Sequence, residues 1–235
     1  MSIKNILFDL DGTLLPMDQE VFVRAYTKRL AAYMAPYGYD PEGLIRGLWA
    51  GTGAMVKNDG RFTNEAVFWK VFSFFVGKEA REDEAVFERF YQTDFQNVKA
   101  ACGFTPKAGE TVRRLKERGF RVILATNPLF PAVATRSRIR WAGLEPEDFE
   151  CCTTYETCSF CKPNPAYYRE VLEKTGCKGE ECVMIGNDVG EDMVAEQLGM
   201  KTFLLTDCLI NQQGLPVTNW PHGDFDALNL WLEAL

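Results

Sequence analysis

Ile3-Lys4-Asn5-Ile6-Leu7-Phe8-Asp9-Leu10-Asp11-Gly12-Thr13-Leu14-Leu15 is an apolar run that ends in two carboxylates, with Gly and Thr directly behind them. Ile6, Leu7 and Phe8 are a short continuous hydrophobic stretch closed by a turn signal, the pattern of a strand covered on both faces. On a strand, residues i and i+2 point to the same side. Asp9 and Asp11 can therefore face one point, roughly 6–7 Å apart while the backbone stays extended. That gap suits a small tetrahedral group with a carboxylate on either side, and Gly12 lets the chain turn sharply away. The same residues would also serve a plain turn in which two Asp side chains bond nearby amides, so the rest of the chain decides.

Three later segments supply what a phosphate site built on Asp9 would lack. Arg121-Val122-Ile123-Leu124-Ala125-Thr126-Asn127-Pro128 is a second apolar strand ending in a hydroxyl and an amide. A Thr there, beside free backbone N–H groups, can hold a phosphoryl oxygen, although Thr-Asn-Pro is also an ordinary way to leave a strand. In Cys161-Lys162-Pro163-Asn164-Pro165 the prolines restrict the backbone around Lys162. An ammonium fixed in that way could neutralise both Asp9 and a bound phosphate; a solvated surface lysine is the plain alternative. Cys182-Val183-Met184-Ile185-Gly186-Asn187-Asp188-Val189-Gly190-Glu191-Asp192 repeats the opening grammar of strand, Gly and acid. Asp188 and Asp192 share a face if a helix starts there.

From Lys107 onward helices and strands alternate: helix to Arg118, strand 121–126, helix 131–142, strand 149–154, helix 164–175, strand 182–187, helix 191–198 and strand 202–206. Alternation of this kind predicts a Rossmann-like α/β fold, a parallel sheet with helices on both faces. Its site belongs at the carboxyl ends of the strands, where all four segments fall. Residues 16–100 break the pattern. They carry helical periodicity over Val21–Met34, Glu65–Val76 and Glu84–Phe95, and some 80 residues are too many for a plain loop. The expected organisation is an α/β core of residues 1–15 and 101–235 with an inserted all-helical cap of residues 16–100. Phe68, Trp69, Phe72, Phe74 and Phe75 read as the cap's own core. Gly51–Phe62 reads as a cap loop that could face the site, with Lys57 or Arg61 reading the substrate's non-reacting end; a solvated helix connection is the alternative.

At 235 residues and 46% hydrophobic the chain can bury a sizeable core. Its net charge of −7 argues against nucleic acid as the main partner. With no apolar run long enough to span a bilayer and no basic-then-apolar start, a soluble cytoplasmic protein without membrane partners is expected. Eight cysteines include Cys151, Cys152, Cys158 and Cys161 close together. A second regularly spaced Cys-x-x-Cys is missing, so reduced structural thiols are expected rather than a zinc or redox site.

In order and spacing, Asp9-Leu10-Asp11-Gly12-Thr13, Thr126-Asn127, Lys162-Pro163 and Gly186-Asn187-Asp188 with Asp192 resemble the haloacid dehalogenase (HAD) superfamily, in its phosphatase branch. The resemblance spans the whole chain and implies a helical cap that closes over the site. It further implies hydrolysis of a small phosphorylated metabolite through an aspartyl-phosphate, with Asp9 as nucleophile and Asp11 as acid and then base. Thr126, Asn127, Lys162 and the backbone at Leu10 would hold the phosphate. Mg²⁺ would be bound by Asp9, the carbonyl of Asp11, Asp188 and Asp192. The paired acids of the last motif stand four or five residues apart in the family, so a longer register would put Asn187 in the place of Asp188. Dehalogenases and phosphonoacetaldehyde hydrolases lack the second acid, which Asp11 supplies here. A sugar phosphomutase is the enzymatic alternative, weakened because the only histidine, His222, lies outside the cap. A catalytically silent binding protein is the other.

Overall fold

The computed structural model describes residues 2–235. Strand β1, Asn5–Phe8, is buried at every position. It pairs in parallel with β2, Arg121–Leu124, on one side and with β3, Cys182–Gly186, on the other. β4, Lys201–Leu205, and the two-residue β5, His222–Gly223, complete a five-stranded sheet of order β2-β1-β3-β4-β5. All pairings are parallel, so the ends of β1, β2 and β3 open on one edge, and Asp9 continues β1 there through its N–H to the Ile185 carbonyl (2.9 Å). Helices α5 (Pro106–Glu117), α6 (Ala132–Trp141), α7 (Pro165–Thr175) and α8 (Phe225–Glu233) belong to this half of the chain.

The helical insertion follows β1. It comprises α1 (Gln19–Met34), α2 (Pro41–Val56), α3 (Asn64–Val76), α4 (Glu84–Gln92) and a 3₁₀ segment, Asp94–Ala101. Side-chain caps start the first three: Asp18 accepts from Val21 N–H, Asp40 from Gly43 N–H and Thr63 from Ala66 N–H, which satisfies donors a helix leaves open. The insertion is not a separate globule. Phe22, Tyr26 and Phe95 belong to the same apolar core as Phe8, Leu124 and Ile185, and the Tyr26 ring lies 5.3 Å from that of Phe130.

Four details depart from the sequence reading. Gly51–Val56 is not loop but the last part of α2. The helix carries Gly43, Gly47, Gly51 and Gly53, which weaken its propensity, yet they have a packing reason. A Cβ at Gly47 would lie 3.1 Å from the Phe72 ring and one at Gly51 would lie 2.6 Å from Phe68, so the glycines let α2 and α3 approach closely. Trp69 and Phe72 are buried, but Phe74 (81% exposed) and Phe75 (49%) form an outward pair on the other face of α3 rather than core. Residues 149–154 run along β2 through three backbone hydrogen bonds and register only a bridge, Leu124–Cys152. The segment after Asp192 is a 3₁₀ helix, Met193–Leu198, stopped by Gly199 before an α-helix can develop. All eight cysteines are free.

Candidate active site

At the end of β1, Lys162 Nζ donates to Asp9 Oδ1 (2.8 Å) and to Asp192 Oδ1 (2.6 Å). Its side chain is fully buried. Burial pushes a lysine's pKa down, but the carboxylates of Asp192 and Asp9 outweigh it and hold the ammonium's pKa well above the ordinary value. The two carboxylates therefore favour the ammonium form of Lys162. Burial raises Asp192 to about 6, with Lys162 opposing and Asp9 adding to the rise. Two glycines make room for this cluster. A Cβ at Gly186 would lie 2.0 Å from Asp192 Oδ2, and Gly12, at φ +88°, passes so close to Asn187 that its Cβ would lie 2.3 Å from Nδ2.

Asn187 is buried with both ends of its amide committed: Oδ1 accepts from the Thr13 hydroxyl (2.9 Å) and Nδ2 donates to the Cys208 carbonyl (2.7 Å). Asp188 Oδ1 accepts from Gly190 and Glu191 N–H, and Asp188 N–H donates to Asp192 Oδ2 (2.9 Å). The two acids thus meet across one turn. Thr126 follows β2, its carbonyl held by the hydroxyls of Thr153 (2.6 Å) and Tyr167 (2.8 Å). Its own hydroxyl, and the N–H groups of Leu10, Asp11 and Asn127, have no protein partner among the described residues. Free donors are the condition for holding anionic oxygens, and Asp11, Thr126 and Asn127 line one cleft with Asp9.

Asp11 lines the same cleft as Asp9, Thr126, Asn127, Asp188 and Asp192. Its Oδ2 accepts from Arg138 Nη1, and its Oδ1 is buried without a partner. Arg138 is 1% exposed, with its guanidinium carbon 4.3 Å from the centre of the Phe130 ring. Burial raises the pKa of Asp11, Arg138 pulls it back, Asp9 pushes it up again, and the net direction is upward. A carboxyl so placed can carry a proton on the oxygen Arg138 does not hold.

Two site residues escaped the sequence reading. Arg138 stands between Ala134 and Trp141 in the buried stripe of α6, and a charge at such a core position is a signal of a buried partner. Glu191 lies on the cleft and accepts from Asn127 Nδ2 (3.0 Å to each oxygen). Burial lifts it to about 8. Lys57 and Arg61, in contrast, are not brought to the cleft. Both are exposed, and Arg61 pairs with Asp59 (2.6 Å). His222 stands on β5, also outside the cleft lining.

Asp9, Asp11, Asp188, Glu191 and Asp192 set five carboxyls on one cleft against two buried cations, Lys162 and Arg138. The excess of hard oxygen donors suits Mg²⁺ rather than a softer ion. Among the described residues no three His, Cys, Asp or Glu side chains converge as a ready-made cage. Mg²⁺ does not require one, since it is usually held by one or two carboxylates with waters and substrate phosphate. The residues present fit it.

A parallel α/β sheet with packed helices over its strand ends, and a carboxylate held there by a buried lysine, is the architecture of a capped α/β hydrolase. The family model of haloacid dehalogenase-like hydrolases matches residues 3–199, and the chain belongs to that family. It is 26% identical over 235 residues to a phosphoglycolate phosphatase of Colwellia psychrerythraea, covering 98% of this chain and 96% of that one. It is 25% identical over 202 residues to the pyrophosphatase PpaX of Bacillus cereus, covering 86% and 82%. These relatives put the chain in the phosphatase branch. A 2-haloacid dehalogenase from Pseudomonas syringae pv. Tomato shares the fold, with a TM-score of 0.64 at 21% identity over 99% of both chains. No helix among the described residues is long and apolar enough to cross a membrane.

Proposed function

We propose that the protein hydrolyses a small phosphomonoester in two steps through an aspartyl-phosphate on Asp9. The observation that carries this reading is Lys162 pinning Asp9 on a cleft that Asp11 also lines. Asp9 is an anion at neutral pH and needs no base to become a nucleophile. Its carboxylate attacks phosphorus, the P–O bond to the leaving alcohol breaks, and Asp11 gives that oxygen its proton. Water then attacks the phosphorus of the acyl phosphate while Asp11 takes a proton from it. The P–O bond to Asp9 breaks, releasing inorganic phosphate and restoring the free carboxylate.

The Thr126 hydroxyl and the free N–H groups of Leu10 and Asn127 are suited to hold the equatorial oxygens as charge spreads over them, while Lys162, buried and bonded to Asp9 and Asp192, would offset that charge through Asp9. Asp9, the carbonyl of Asp11 and Asp188 are the groups for Mg²⁺, which when bound would neutralise phosphate charge. Asp188 is the better candidate than Asn187, whose amide is spent on Thr13 and Cys208. Asp192, tied to Lys162, acts at one remove. Phosphate release from a panel of phosphomonoesters tests the reading: turnover with Mg²⁺, loss in EDTA and loss in Asp9→Asn are expected. A folded Asp9→Asn protein that turns over as fast as the parent would overturn it.

A further inference from the structure

The cleft has two unlike halves. One carries the carboxyls at the strand ends. The other is mostly apolar, with Phe22 and Val23 from α1, Leu48 and Trp49 from α2, and Leu129 and Phe130 from the segment before α6; its polar groups, from Gln19, Tyr26 and Thr52, are uncharged. Among the described residues no Lys, Arg or His lines this cavity of about 330 Å³. The two cations closest to the chemistry are already committed, Lys162 to Asp9 and Asp192, and Arg138 to Asp11. A neighbouring cavity of about 280 Å³ shares Tyr26, Leu48 and Leu129, and its lining holds one cation, Arg136, against three carboxyls, Glu84, Glu88 and Glu156. Trp49 is 49% exposed although it lines the cleft, an apolar wall that a ligand would cover.

We propose that the substrate is the phosphomonoester of an uncharged, apolar alcohol, and that esters whose leaving part carries a carboxylate or a second phosphate are rejected. The inference rests on the phosphatase reading above and adds the identity of the leaving part. A second anion placed among these side chains would lose its water without a counter-charge in exchange. An alkyl or aromatic group would lose only unfavourable contact with water. The substrates for which the phosphoglycolate phosphatase and the pyrophosphatase above are named are both anionic beyond the phosphoryl group transferred, so this chain would separate from them in specificity.

The test is kcat/KM with Mg²⁺ for ethyl, butyl and hexyl phosphate against 2-phosphoglycolate and pyrophosphate. Burial of each added methylene should raise kcat/KM roughly fourfold, and butyl phosphate should exceed both anionic substrates by at least about tenfold. Trp49→Arg, at a half-exposed position that tolerates a long side chain, should lower the hexyl ester and raise phosphoglycolate. Tryptophan fluorescence should report tighter binding of hexylphosphonate than of phosphonoacetate to the unaltered protein. Faster turnover of phosphoglycolate or pyrophosphate than of butyl phosphate, or no dependence on chain length, would overturn the inference and leave the phosphatase reading standing. Release from none of the compounds would overturn both.

Discussion

Arg138 is the residue on which the acid–base role proposed for Asp11 turns. It is buried on α6 and held in place by the Phe130 ring, with Thr135 Oγ1 as a second contact at 3.4 Å. It holds one oxygen of Asp11 and leaves the other for a proton. Breaking this pair should cost general acid catalysis, an effect of about 10²–10⁴ in rate. The loss should depend on the leaving group: Arg138→Met should slow an alkyl phosphate at least about a hundredfold and p-nitrophenyl phosphate far less, because nitrophenolate leaves without a proton. Equal losses on both would mean that Arg138 serves the fold alone. Arg138 was readable as an anomaly, a charge in an apolar stripe. Its partner, 127 residues away, was not.

At the scale of elements, α2 carries the wall that the substrate would meet, and its glycines divide into two kinds. Gly51 faces Phe68, which stacks on Phe72 at 5.3 Å and has little room to yield. Gly53 meets nothing within 4 Å. Helical propensity favours Ala over Gly at both positions by about 1 kcal/mol, but overpacking costs about 1–3 kcal/mol where a methyl has no space. Gly53→Ala should therefore raise Tm by roughly 1–4 °C and Gly51→Ala should lower it, as scanning calorimetry can check. The opposite order would refute close packing of α2 on α3. Propensity alone reads this stretch as loop; contact with α3 makes it helix.

For the whole molecule, an acidic chain of net charge −7 concentrates carboxyls on one cleft. Burial raises Asp192 to about 6 and Glu191 to about 8, so the folded protein binds protons that the unfolded chain releases near pH 4. Their contribution to stability is full below that value and is lost as pH rises through about 6 and then about 8. In EDTA, Tm should fall between pH 5 and 8.5, with Glu191→Gln flattening the upper part of the decline. A metal-free Tm that climbs over that interval would contradict the assignment. Mg²⁺ should restore more stability at the alkaline end, where more carboxylates are charged.

Local patterns announced the parallel sheet, the strand ends and the acids Asp9, Asp11, Asp188 and Asp192, because apolar runs, alternation and turn residues are properties of neighbours in the chain. The prolines around Lys162 marked it as a candidate with a solvated surface lysine as the alternative, and its burial against Asp9 and Asp192 decided between them. Tertiary structure alone brought Arg138 to Asp11 and Asn127 to Glu191, committed Asn187 to Thr13 and Cys208, and left Lys57 and Arg61 away from the cleft. It also made the stretch through Gly51 and Gly53 part of a helix whose Leu48 and Trp49 line the cleft. These outcomes depend on contacts between segments distant in sequence, where burial and charge pairing override local preference, and no spacing along one chain encodes which distant partner will be met.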